Sequence, residues 1–141
     1  MSGSYKCKMI LGEGIPMIQN RMLNSYEKSW IEKMLSSNFK QRKEIVRQIT
    51  QAEILREYTD YYLSIKFIAE CAAKNCSGST GVPVEMRVYL KNKVPIQFLL
   101  HIKKGIVTEL EVFYADSSKI SGEISLDNVR TEIIIDSAWK Y

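Results

Sequence analysis

The sequence predicts an α+β fold in which two N-terminal helices pack on one face of a four- to five-stranded antiparallel meander. Three observations carry that expectation. Apolar residues recur at helical spacing between residues 24 and 53, and they alternate with polar residues across much of 58–135. The alternating runs are joined by short, turn-forming stretches with no room for a crossover helix, so neighbouring strands should pair antiparallel.

The first helix should start at Asn24-Ser25-Tyr26-Glu27, where the Asn24 side chain can accept a backbone N–H three residues on and Glu27 can reach back. Trp30, Ile31, Met34 and Leu35 then share a stripe opposite Lys28, Glu32 and Lys33, until Ser36-Ser37-Asn38 breaks the pattern. A second amphipathic run opens near Phe39 or Lys40, with Ile45, Val46, Ile49 and Ala52 on one side and Arg42, Lys43, Glu44, Arg47 and Gln48 on the other.

The period then falls to two. From Tyr58 to Ala69 the residues Tyr61, Leu63, Ile65, Phe67 and Ala69 alternate with Tyr62, Ser64, Lys66 and Ile68, as one strand would. Cys76 to Gly81 reads as a loop, and Val84, Met86, Val88 and Leu90 alternate beyond it. After a turn at Lys91-Asn92-Lys93, Pro95 opens a strand with Ile96, Phe98, Leu100 and Ile102 on one phase. Lys103-Lys104-Gly105 turns the chain into a strand carrying Leu110, Val112 and Tyr114. Lys119 to Ser125 is expected to form a short further strand, and Arg130 to Ile135 fits a strand or a helix.

A length of 141 residues supports one core, so 1–141 is expected to be a single domain, with 1–20 irregular, 24–53 helical and 58–135 forming the sheet. Hydrophobic residues at 45% and charged residues at 26% match soluble globular proteins and argue against disorder or a membrane bundle. The first residues lack a signal-peptide apolar run, and Phe98–Leu100 and Ile133–Ile135 are far too short to cross a bilayer, so a cytoplasmic location is expected. Cys7, Cys71 and Cys76 should then be reduced thiols. Neither they nor the single histidine make a zinc set, so no metal or other cofactor is expected.

Catalytic constellations are equally sparse. His101 is the sole imidazole and sits on the polar phase of its strand. No nucleophile signature surrounds Cys71 or Cys76, and Gly12-Glu13-Gly14 followed by Pro16 is a poor phosphate loop. No catalytic residue is assigned, and an enzyme is not expected. Glu109 and Glu111, two apart on one strand, project from the same face. Tyr58, Tyr61 and Tyr62 crowd one stretch, and because consecutive strand residues point to opposite faces, some of the rings face solvent and suit a protein interface.

Arg21-Met22-Leu23 with Glu27, Ile31 and Leu35, the segment Leu63-Ser64-Ile65-Lys66-Phe67, and the run Pro95-Ile96-Gln97-Phe98-Leu99-Leu100-His101-Ile102 carry a resemblance, continued by Gly105, Glu109 to Phe113 and Asp116. The pattern resembles small bacterial two-helix-plus-sheet domains, similar to immunity proteins that accompany polymorphic or contact-dependent toxins. That resemblance implies binding to a cognate toxin domain and neutralisation by occlusion of its active site, with no catalytic residues. The alternatives are a small enzyme or ligand-binding domain using a sheet–helix cleft with His101, Glu109 and Glu111, and a basic nucleic-acid-associated protein.

Charge placement favours a protein partner. The formal net charge is +4, but residues 1–104 hold 17 Lys and Arg against 9 Asp and Glu, whereas 105–141 hold 3 against 7. The acidic final segment, with Glu109, Glu111, Asp116, Glu123, Asp127, Glu132 and Asp136, should steer a basic partner such as a nuclease toxin. Tyr61, Tyr62, Glu109, Glu111, Asp116, Glu123 and Asp127 are therefore the expected partner-binding residues, and nucleic acid or membrane is not expected to bind.

Overall fold

In the computed structural model, which describes residues 18–70, 78–91 and 93–139, helix α1 spans Ser25–Met34 and begins at the expected cap. The Asn24 side chain accepts the Glu27 N–H at 2.8 Å and the Glu27 carboxylate accepts the Asn24 N–H at 2.9 Å, satisfying two donors that a helix start leaves without partners. Helix α2 spans Arg42–Gln51 and starts later than the apolar pattern suggests, because Gln41 holds the left-handed conformation (φ 71°) and ends the preceding turn. The expectations for the N-terminal segment through Met17, including Cys7 and Gly12-Glu13-Gly14, lie outside the described residues, as do Cys71, Cys76 and Asn92.

Among the described residues six strands follow: β1 Glu53–Tyr58, β2 Leu63–Ile68, β3 Val84–Tyr89, β4 Ile96–Lys103, β5 Ile106–Tyr114 and β6 Arg130–Ile135. They form one antiparallel sheet in the order β1-β2-β5-β4-β3-β6. The α+β class stands, and the strand count and the order differ from expectation. Only β3-β4-β5 is a meander; β2 pairs with β5, and β6 returns to pair with β3.

The extra strand, β1, runs up to Tyr58, and of the strand expected from Tyr58 to Ala69 the part Leu63–Ile68 forms β2. Thr59 breaks the run: its N–H donates to the Tyr62 carbonyl at 2.9 Å, and its hydroxyl accepts the N–H groups of Tyr61 and Tyr62, making a hairpin turn between β1 and β2. The next expected turn forms as a two-residue loop, with Lys104 at φ 51° and Gly105 at φ 80°, the primed geometry that matches strand twist. One register shift between His101 and Ile102 leaves Thr108 as an extra residue, its hydroxyl donating to the His101 carbonyl at 3.2 Å.

Alternation divides the sheet into two faces. Ile54, Leu63, Ile65, Phe67, Val84, Met86, Val88, Ile96, Phe98, Leu100, Leu110 and Val112 are buried in one cluster, which Trp30, Ile31, Met34, Ile45 and Ile49 of the helices complete. Trp30 meets Phe98 edge-on at 5.4 Å between ring centroids. The buried Gln48 side chain accepts the Val107 N–H at 2.8 Å and donates to the Gly105 carbonyl at 3.0 Å, tying α2 to the β4–β5 turn.

The 115–129 connection carries no strand, so the expected short strand at Lys119–Ser125 is not formed. Instead it is anchored by its two isoleucines. The Ile120 N–H donates to the Asp60 carbonyl at 2.7 Å, and the buried Ile124 presents its carbonyl to the Trp30 indole N–H, also at 2.7 Å. Between them Gly122 lies against Tyr58, where an added Cβ would approach the ring to 2.5 Å. Gly122→Ala should therefore destabilise the fold by about 1–3 kcal/mol in chemical denaturation. The loss should shrink in a Tyr58→Leu background; equal losses in both would refute the contact.

Candidate functional site

The second sheet face, here the open face, carries the polar phase of every strand. Cross-strand register places Glu57 beside Ser64, Ser64 beside Glu111, Lys66 beside Glu109, and Glu109 beside His101. Carboxylates from residue 57 and from residues 109 and 111 thus flank β2 on one face because β2 pairs with β5, which brings segments some fifty residues apart in the chain into one sheet.

Each of these carboxylates is held by its own donor. The Tyr62 hydroxyl donates to Glu57 at 2.8 Å, the Ser64 hydroxyl to Glu109 at 2.6 Å, and His101 Nε2 lies 2.5 Å from Glu111 Oε1. The hydrogen bond to Glu57 pushes the Tyr62 phenol above its ordinary pKa, with Glu109 and Glu111 adding to the effect. A carboxylate has room for about four hydrogen bonds, so all three retain acceptor capacity toward solvent or a ligand.

Elsewhere on this face the charges pair among themselves. Arg87 lies 3.3 Å from Glu85 and 3.6 Å from Glu132, Tyr89 donates to Glu132 at 3.0 Å, and the Arg130 guanidinium covers the Tyr89 ring at 4.0 Å.

The structure brings Tyr62, Glu109 and Glu111 together, with the exposed Tyr61 on the adjoining turn. It does not gather the acidic C-terminal segment into one patch. Asp116, Glu123 and Asp127 are exposed along the 115–129 connection. Asp116 accepts from the Ser118 hydroxyl and N–H, which hold its carboxyl below the ordinary value. Glu132 belongs to the Arg87 network, and Asp136 accepts the Ala138 N–H at 2.9 Å. His101, Glu109 and Glu111 occupy the open face, so they are not in a cleft between sheet and helices.

Sequence reasoning missed Glu57, Leu55 and Ile68. Leu55 and Ile68 are 59% and 54% exposed on the open face, beside Lys66 and Glu53. Their signal is an apolar residue on the polar phase of a strand, legible for Ile68 beside Ser64 and Lys66, and visible for Leu55 only once β1 and the Thr59 turn are recognised.

Among the described residues, no group of three His, Cys, Asp or Glu is placed to hold a metal ion, and no helix is long and apolar enough to cross a membrane. A family model matches residues 20–124, from just before α1 into the 115–129 connection. The chain belongs to the DUF6984 family, described as a domain of unknown function. No curated protein and no solved structure matches the chain. The family match stops before β6, so the strand that closes the sheet beside β3 lies outside the shared region.

Proposed function

We propose that this DUF6984 chain is a cytoplasmic immunity protein that binds a cognate bacterial toxin domain and neutralises it by covering its active site. The observation that supports this reading is the open face. It presents Glu57, Glu109 and Glu111 already oriented by Tyr62, Ser64 and His101, and the turn before β2 carries the exposed Tyr61. Occlusion requires a ready surface of this kind and no chemistry of its own, because preorganised groups lose little freedom on docking. An acidic face suits a toxin whose active site is basic, such as a nuclease cleft that attracts phosphates.

Co-expression with any toxin domain encoded by a neighbouring gene tests the reading. Protection of the host and a one-to-one complex in light scattering are expected. Unabated toxicity without complex formation would overturn it. Charge reversal at Glu109 and Glu111 should slow association by about tenfold or more at low salt and flatten its dependence on ionic strength. Reversal at Glu123 and Asp127, on the 115–129 connection, should slow it less.

A further inference from the structure

Leu55 and Ile68 stand on the half of the open face that carries Glu53, Glu57, Glu109 and Glu111. Ile68 lies opposite Glu53 and Leu55 opposite Lys66, so the two apolar side chains are diagonal neighbours on the β1–β2 hairpin. Around them the described residues of the face present Glu53, Glu57, Glu109 and Glu111 against the lysines Lys66 and Lys103, and Arg47 of α2, held by Glu44, borders Glu53 and Ile68. The other half differs, since Arg87 is shared between Glu85 and Glu132 and offers a partner little net charge.

We infer that this hairpin half is a docking surface for a basic polypeptide segment that carries an apolar side chain between its cations. The apolar group would cover Leu55 and Ile68, and the flanking cations would reach Glu57 and Glu109. The inference rests on the reading above that the open face binds a protein, and it adds where the contact centres and what chemistry the partner brings.

Two features decide in favour of this half. Charge complementarity selects a cationic partner, because among the described residues four carboxylates outnumber the ammonium groups of Lys66 and Lys103, while Arg47 is held by Glu44. The apolar pair supplies what charge alone does not: exposed carboxylates steer an encounter, and release of water from aliphatic surface slows its reversal. The anchoring donors add to this. With Glu57 held by Tyr62 and Glu109 by Ser64, the carboxylates do not have to be ordered when a guanidinium or ammonium arrives.

The test uses the full chain, isotopically labelled, and a decapeptide of alternating lysine and valine as the probe, with its glutamate–valine counterpart as control. Amide shift changes centred on Leu55, Lys66, Ile68 and Glu109 are expected with the lysine peptide and none with the glutamate peptide. Leu55→Glu/Ile68→Glu should weaken binding by about tenfold or more. Leu55→Ala/Ile68→Ala should weaken it less while leaving the melting profile unchanged, since both side chains are already exposed. Shifts centred on the Arg87 half, equal binding of both peptides, or no loss in either variant would overturn the inference. The two readings fail separately. A toxin domain neutralised equally well by Leu55→Glu/Ile68→Glu refutes this surface and leaves the immunity reading intact. A peptide that docks at the hairpin while no toxin domain is neutralised does the reverse.

Discussion

Replacing Arg56 with alanine should destabilise the protein by about 3 kcal/mol near neutral pH, because it strands a carboxylate that the fold has fully buried. Glu27 has no solvent exposure. Its oxygens accept from Arg56 Nε at 2.5 Å, Arg56 Nη2 at 2.6 Å, the Tyr58 hydroxyl and the Asn24 N–H. Burial is the largest influence on its carboxyl and pushes the pKa up, but the bonds from Arg56, Tyr58 and Asn24 together with the Arg56 charge more than offset it, holding the pKa below 4.5. Arg56 is itself 34% exposed on its side chain, so water partly screens the pair and the loss should fall at the low end of the range for broken buried pairs.

The pH dependence has a definite sign. Because folding lowers the Glu27 pKa, its stabilising contribution is present above about 4.5, the unfolded value, and fades as pH falls through the lower folded value. Tyr58 acts at the other end: burial and its bond to Glu27 raise its pKa, so its contribution holds below 10 and is lost as pH climbs toward the folded value. Urea midpoints measured from pH 3 to pH 7 should show a steep acid limb in the parent protein. In Glu27→Gln, which keeps the volume and loses the charge, that limb should flatten. An unchanged limb in Glu27→Gln would place the acid sensitivity elsewhere, and an Arg56→Ala midpoint equal to the parent's would show that the pair contributes nothing net.

The same pair explains why β1 was hard to read. On β1 the inward phase is Ile54, Arg56 and Tyr58 and the outward phase is Glu53, Leu55 and Glu57, so a charge points inward and a leucine outward. Binary patterning inverts at that point, and only the position of Glu27 on another element makes the inward arginine sensible. By contrast, Asn24 to Glu27 declares its helix cap within four residues, and β3, β4 and β5 alternate cleanly enough to be found from sequence. Pairings across long separations leave no local trace. Nothing in the sequence around Ser64 announces Glu109 and Glu111, so the cluster at Glu57 depended on the sheet order. Along the chain the acidic residues look segregated toward the C-terminus, but sheet order interleaves the segments, and the carboxylates of the open face come from β1 and β5 alike.

Trp30→Ala should cost about 3–5 kcal/mol, the range for deleting a large aromatic from a core that cannot close around the space. The indole is fully buried against Phe98 and also donates to the Ile124 carbonyl, so the substitution removes packing and a tether together. Trp30→Phe separates the two. It keeps most of the ring contact and leaves a buried carbonyl without its donor, for an expected loss of about 1–3 kcal/mol. The effect should be local as well as global. The Ile120 N–H, bonded to the Asp60 carbonyl in the same connection, should exchange with solvent faster in Trp30→Phe than the fall in overall stability accounts for. An unaltered urea midpoint together with unaltered Ile120 exchange would show that the Ile124 carbonyl finds another donor and that the tether is dispensable. Binding provides the last discrimination. Leu55, Ile68 and the carboxylates at 57, 109 and 111 lie on the open face, whereas Trp30 packs into the core, so Trp30→Phe should bind the lysine–valine peptide with unchanged affinity at temperatures where it is folded. A loss of affinity there would mean that the 115–129 connection, with Glu123 and Asp127, takes part in recognition.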